Sequence, residues 1–390
     1  MHFHIHQNDL TNHLSVIANC LPARTTNPNG SHLCLEVSDK LHLKAFSNEL
    51  YVFAEIPANI QKTGIITVPG SLFSNLINSL PKTAIEVYQE EGRLCITTSA
   101  NGQNINYKLP IYSAESFPNP PQLDQVSYRI DRLKLVNALK KVTFAAGTNQ
   151  TQPILNGIHI KFNQETIEFA ATNGHHMAIL NQENPQTSNE NNTITSTSEL
   201  TIPITSANQL VKIISKSKHK NKKCDVLVQG NLIGVILEPS KENREETEEQ
   251  VTYHFYSCLL NGTYPEYKKL IPKNFITEIT VKREDILNSL ERIKLFTDQR
   301  NIVAVETGED TLSLSNKEDS ESGYGCEKIR AKVQGEQQKV LFNAEYLHGG
   351  LRNIDAEEIC ISISAANGPT VIQPAHDHSF TYLIMPIVLR

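Results

Sequence analysis

Apolar and polar residues alternate in three matching hairpins spread along the chain. Leu33–Val37 runs through Ser38-Asp39-Lys40 into Leu41–Asn48, Ile158–Phe162 turns near Asn163 into Ile167–Asn173, and Val303–Glu306 turns around Gly308 into Leu312–Asn316. A period of two is that of a half-buried strand, so each hairpin predicts two strands with one face on a core. Each second strand closes on Ser-Asn or Thr-Asn, and offsets of 125 and 143 residues separate Asn48, Asn173 and Asn316. Those offsets have the length of whole domains, not of short solenoid repeats.

Helical patterns flank every hairpin. The first helix of each pair has Asn8, Asp131 or Glu284 near its start, with stripes at Leu10, Leu14 and Ile17, at Leu133, Val136, Leu139 and Val142, and at Leu287, Leu290 and Ile293. The second opens near Ser71, Ser206 or Asn343, with stripes at Leu72, Leu76 and Leu80, at Leu210, Ile213 and Ile214, and at Tyr346, Leu347 and Leu351. Spacings of three and four residues put each stripe on one helical face, and the polar residues ahead suit helix starts. Two helices and several strands per copy read as α+β, and 390 residues shared among three copies give domains of a common size.

Composition narrows the class. The chain has no apolar run long enough to span a bilayer and no basic-then-apolar leader, which points to a cytoplasmic protein without a membrane partner. Seven cysteines, at 20, 34, 95, 224, 258, 326 and 360, form no Cys-x-x-Cys and read as reduced, mostly buried thiols. Net charge is −6, but the charges are unevenly placed. Lys216, Lys218, Lys220, Lys222 and Lys223 crowd one helix end, whereas Glu242, Glu245, Glu246, Glu248 and Glu249 fill a later segment and Glu309, Asp310, Glu318, Asp319 and Glu321 another. Cations also sit beside the apolar stripes, at Lys134, Lys140, Lys141, Lys212, Lys216, Arg283, Arg292 and Arg352, so several helices carry a basic side. The polar stretches Asn181 to Glu199 and Ser240 to Gln250 read as disordered loops.

Catalytic signatures are missing. There is no phosphate-cradling Gly-x-x-x-x-Gly-Lys-Ser/Thr, no Gly-x-Gly-x-x-Gly after a strand, no His-Glu-x-x-His and no Gly-x-Ser-x-Gly. His2, His4 and His6 share one strand face, but Met1, Phe3 and Ile5 fill the other, so the segment reads as an ordinary amphipathic strand with no metal or other cofactor. The pair His175-His176 has no carboxylate or cysteine at ligand spacing and reads as a positioned loop. A catalytic or metal role for that pair, in a DNA-processing enzyme, is the competing reading.

Three stretches are more specific: Thr172-Asn173-Gly174-His175-His176-Met177-Ala178, the run Leu260 to Pro272, and Tyr382-Leu383-Ile384-Met385-Pro386-Ile387. They resemble the bacterial β sliding clamp, the processivity subunit of DNA polymerase III. Arg24, Ser116-Phe117-Pro118, Leu155-Asn156-Gly157 and Phe342-Asn343-Ala344-Glu345-Tyr346 extend the resemblance over the whole chain.

The resemblance implies a DNA clamp fold of three similar domains, here 1–125, 126–274 and 275–390, whose helices line a central hole with sheets outside. Two such chains close head to tail as a homodimeric ring around double-stranded DNA. Partners implied are the replicative polymerase's catalytic subunit, an ATP-dependent clamp loader and other replication and repair proteins. By resemblance Arg24 and a residue near Asn149 touch DNA, and helix polarity adds Lys141, Lys212, Lys216, Arg283 and Arg292. Contacts to phosphate carry no sequence preference, as a sliding ring requires. The family's peptide pocket falls on Leu155, Thr172, Gly174, His175, His176, Met177, Pro265, Lys269, Leu270, Asn343, Tyr346, Pro369, Met385, Pro386 and Ile387. Of these, Leu155, Met177, Leu270 and Met385 suit an apolar cleft, and Gly174, His175 and Asn343 suit orienting polar contacts. The family usually has Asp-Gly-His-Arg where this chain has Asn173-Gly174-His175-His176, and Met-Pro-x-Arg where it has Met385-Pro386-Ile387-Val388. Loss of two cations predicts altered peptide affinity. Ring closure is expected to bring Tyr107 and Leu109 of one chain against Leu295 and Phe296 of the other.

Overall fold

The structure is a computed structural model and describes residues 1–21, 31–123, 125–148, 151–184, 198–217, 222–239, 250–317 and 322–388. Six helices lie among these: α1 (Gln7–Ile17), α2 (Gly70–Ser79), α3 (Arg132–Thr143), α4 (Ile204–Lys216), α5 (Arg283–Lys294) and α6 (Ala344–Arg352). All three predicted hairpins form, as His32–Val37 with Leu41–Phe46, Gly157–Phe162 with Thr166–Thr172, and Ile302–Thr307 with Thr311–Ser315. The architecture is α+β, with three antiparallel sheets.

The chain divides into two compact units, Met1–Val136 with Thr205–Leu259 and Asn137–Ile204 with Leu260–Arg390. The first unit holds a five-stranded sheet in the order Asn59–Lys62, His2–His6, Ala84–Glu90, Arg93–Ala100, Gln103–Pro110. Its two tight turns, Glu91-Gly92 and Asn101-Gly102, have both central residues at positive φ, the backbone that matches the right-handed twist of flanking strands. An eight-stranded sheet completes this unit. In it the middle third supplies Tyr128–Asp131, Lys223–Gln229, Leu232–Leu237 and Thr252–Cys258, and the first third supplies Leu50–Ile56, Leu41–Phe46, His32–Val37 and Gly64–Pro69. The join is a regular ladder from Thr252↔Glu55 to Ser257↔Leu50.

The second unit is built on one twelve-stranded sheet. Ser198–Pro203, Gly157–Phe162, Thr166–Thr172 and His176–Glu183 come from the middle third and the remaining eight strands from the last third. Here the joining ladder runs from His176↔Ile384 to Leu180↔Phe380. Sheet continuity therefore crosses both repeat boundaries, which no local pattern reveals because the pairing partners are some 200 residues apart.

Several helix expectations change in detail. α2 buries Phe73, Ser74 and Ile77 and leaves Leu72 51% exposed, because the Phe73/Ile77 pair, one turn apart, forms its buried face; of the predicted leucines, Leu80 just past the helix is buried. α1 is capped by His6, whose imidazole accepts the Asn8 N–H, and α5 starts from Lys282 with no side-chain cap. Asp131 and Asn343 do cap: Asp131 Oδ1 accepts the Lys134 N–H at 2.9 Å, and Asn343 Oδ1 accepts from Glu345 and Tyr346. Of the two predicted loops, Asn181–Glu183 and Ser198–Glu199 belong to strands, whereas 185–197 and 240–249 lie outside the described residues. All seven cysteines are free, with Cys20, Cys34, Cys95 and Cys224 buried and Cys326 exposed. Among the described residues no helix is long and apolar enough to cross a membrane.

Candidate functional site

The predicted pocket residues lie within the second unit, and the sheet organises them. Thr172 ends one strand, His176 begins the next, and the three residues between them form a tight corner. Asn173 Oδ1 accepts the backbone N–H groups of His175 and His176 at 2.9 and 3.1 Å. Gly174 sits at φ +90°, a conformation that side chains with a Cβ adopt only under strain. The Thr172 hydroxyl locks the corner from inside, donating to the His176 carbonyl at 2.7 Å and accepting the Gly174 N–H at 3.1 Å.

Strand pairing then places Met177 opposite Leu383 and His176 opposite Ile384. Beyond the ladder, Met385 donates its N–H to the His175 carbonyl at 2.9 Å, and Ile387 donates to Leu341, two residues before Asn343. Gly174 to Met177, Met385 to Ile387 and the start of α6 are thus tied together by backbone bonds.

His176 lies under this corner, 4% exposed. Its ring stacks on Tyr346 at 4.2 Å and 13°, and its Nδ1 is 3.1 Å from the Tyr382 hydroxyl, which donates to the Tyr346 carbonyl. Burial, helped by the neighbouring His175, pushes its pKa down to about 4, so the ring is neutral at physiological pH. Burial likewise drives the Tyr382 hydroxyl well above its usual range. Phe144 completes the cluster, 5.9 Å from the His176 ring and 5.6 Å from Tyr382. Neither Phe144 nor Tyr382 was among the expected pocket residues; Tyr382 stood in a quoted motif, while Phe144 carried no signal in the sequence.

The apolar cleft differs from expectation. Leu155 and Met177 are core residues, packed with Ala170, Ile179, Tyr264, Tyr267, Val371 and Leu383. Strand alternation turns Met177 inward, so its flexible thioether is not available at the surface. Leu270 (59%) and Met385 (39%) are the exposed members. Pro265 and His175 are exposed as well, and Pro386 and Ile387 half-buried. Pro369 is half-buried just before the strand Thr370–Pro374, and its carbonyl accepts from Ser364. Lys269 is tied to Glu266 by an ion pair.

The predicted cations are scattered. Lys212 and Lys216 project from α4, exposed, with Lys216 reaching Ser15 of α1. Lys141 pairs with Asp355 at 3.1 Å, Arg283 donates to the Ala356 carbonyl, and Arg292 forms a two-pronged pair with Glu327 at 2.7 and 2.6 Å. Arg24 and Asn149 lie outside the described residues. Of the expected ring-closure residues, Tyr107, Leu295 and Phe296 are exposed, but Leu109 is 3% exposed. It faces Leu94 in its own sheet and is not part of a surface patch.

Comparison with known proteins converges on one class. Three family models match in order: the DNA polymerase III beta subunit N-terminal domain over residues 1–121, its central domain over 129–266 and its C-terminal domain over 268–388. Beta sliding clamps of Synechocystis sp. and Synechococcus elongatus are 28% and 27% identical to this chain, over 98% of each chain. The solved sliding clamp of Bacillus subtilis superposes with a TM-score of 0.88 at 22% identity, and the Thermotoga maritima beta subunit with 0.86 at 20%, each over 100% of both chains. Fold and matches together define a sliding clamp. The chain belongs to the DNA polymerase III beta subunit family.

Proposed function

We propose that the chain, as three clamp domains at 1–125, 126–274 and 275–390, forms a head-to-tail homodimeric ring that encircles duplex DNA and tethers a replicative polymerase without catalysing a reaction. The three family matches in order along one chain carry this reading. Exposed Lys212 and Lys216 support a basic surface for phosphate. Lys141 and Arg292 contribute less to such a surface while paired with Asp355 and Glu327. Retention on circular DNA with loss on linearisation tests the ring, and a monomeric mass in solution overturns it. Leu295→Asp, at a site 77% exposed, should then yield monomers by light scattering.

The corner at Asn173 to His176, with Met385 and Leu270, is the docking site for short peptides from the polymerase, an ATP-dependent loader and repair proteins. His176 is buried and uncharged and Val388 is apolar, so neither position offers a cation to a peptide's carbonyl or carboxyl groups. Calorimetry with a typical clamp-binding pentapeptide should show weaker binding than an ordinary clamp gives, and equal affinity would refute that. The enzyme reading needs an accessible His175-His176 pair, whereas His176 is enclosed by Phe144, Tyr346 and Tyr382.

A further inference from the structure

We propose that His2, His4 and Glu86 form a binding site for one zinc-class dication on the solvent face of the five-stranded sheet. Phe3 and Ile5 point into the core, which leaves His2 and His4 side by side on the other face. Glu86 stands directly opposite His4 on the neighbouring strand. One donor atom from each residue lies within 4.8 Å of the other two, and this is the grouping of its kind among the described residues.

The spacing suits a small tetrahedral ion. Bonds of about 2.0 Å in tetrahedral array hold ligands roughly 3.3 Å apart. Glu86 Oε1 is 2.8 Å from His2 Nε2 and 3.6 Å from His4 Nε2, values on either side of that separation. Neighbouring groups prepare the ligands. The Thr97 hydroxyl donates to Glu86 Oε2 at 2.9 Å, leaving Oε1 turned towards both imidazoles. The Gln61 amide nitrogen is 3.3 Å from His4 Nδ1; metal binding through Nε2 calls for this amide to turn over, so that its oxygen accepts Nδ1–H and leaves the Nε2 lone pair for the ion.

Two imidazoles and one carboxylate favour zinc, nickel or copper over magnesium or calcium. His6 lies on the same face, but its Nδ1 accepts the Asn8 N–H as the cap of α1, which makes Glu86 the third ligand. His4 and Glu86 also line an open cavity of about 720 Å³ of mixed character, with Thr97, Ser99 and Asn104 among its polar walls and Ile85 and Ile105 among its apolar ones, which leaves room for a fourth ligand. Water or an anionic group fits there. The ion would bridge the first strand to its neighbour, a structural staple separate from the peptide corner.

Untagged full-length protein titrated with zinc chloride in a calorimeter should bind one equivalent. The double variant His2→Ala/His4→Ala should bind at least tenfold more weakly, Glu86→Gln should also weaken binding, and His6→Ala should leave it unchanged. Cobalt in place of zinc should give a tetrahedral visible spectrum without a thiolate charge-transfer band. Metal-free circular dichroism checks that the variants fold, as their half-exposed side chains predict. Binding that survives the double His variant, or that disappears with Cys326→Ser or His6→Ala, overturns the proposal.

Discussion

Asn173 and Asn316 occupy the same place in two copies of one repeat, and they do opposite things. Asn173 is half-buried and turns a three-residue corner outward, presenting His175 and Gly174 to solvent. Asn316 is 4% exposed and pulls its connection inward. Its Nδ2 donates to the carbonyls of Phe296 and Gly323 at 2.7 and 2.8 Å, and its Oδ1 accepts the Gly325 N–H at 2.7 Å. The third equivalent, Asn48, is exposed at a short bend before Leu50. Strand pairing is shared by the three copies, while the connection after the hairpin is free to specialise, because loops change without disturbing a ladder.

The comparison can be broken by ordered substitutions. Asn316→Ala removes three part-buried hydrogen bonds to backbone groups, each worth about 1 kcal/mol, and should destabilise the protein by about 3 kcal/mol, read from urea unfolding. A loss below about 1 kcal/mol would mean water replaces the amide and the inward connection is not held by Asn316.

His176→Phe comes next and tests the outward corner through pH. The folded imidazole stays neutral down to about 4, whereas an unfolded one protonates near pH 6.5. The unfolded chain therefore binds more protons between those values, so stability is full above about 6.5 and falls as pH drops towards 4. Wild type should lose roughly 2 kcal/mol more than the variant between pH 7 and 4.5. Parallel losses would show that His176 charges freely in the folded state.

Gly174→Ala, at φ +90° in open space, should cost about 1 kcal/mol from backbone strain alone and weaken peptide binding by misplacing His175. Unchanged stability and affinity would show that the corner tolerates another backbone path. Asn48→Ala should change stability by less than about 0.5 kcal/mol, and a larger loss would give the first copy a hidden role like that of Asn316.

Much of this was legible from local pattern. The hairpins followed from alternation, the caps Asp131 and Asn343 from residue type, and the corner from the run Asn173-Gly174-His175-His176. What was missed depends on distant partners. Leu109 looked like half of a surface patch with Tyr107, yet Leu94 and the sheet core cover it. Met177 looked like a cleft residue until the ladder with Leu383 and contact with Tyr264 and Tyr267 turned it inward. His2 and His4 were visible as one strand face, but Glu86 is some 80 residues away and only register brings it opposite.

The two joining ladders, Leu50–Glu55 with Thr252–Ser257 and His176–Leu180 with Phe380–Ile384, separate the sequence repeat from the structural unit. The repeated pattern divides the chain into thirds, but each of the two compact units takes strands from the middle third. A middle third cut out by itself would bare two strand edges at once, each a template for aggregation. A segment legible as a repeat in the sequence is thus not one that would stand alone as a soluble fragment.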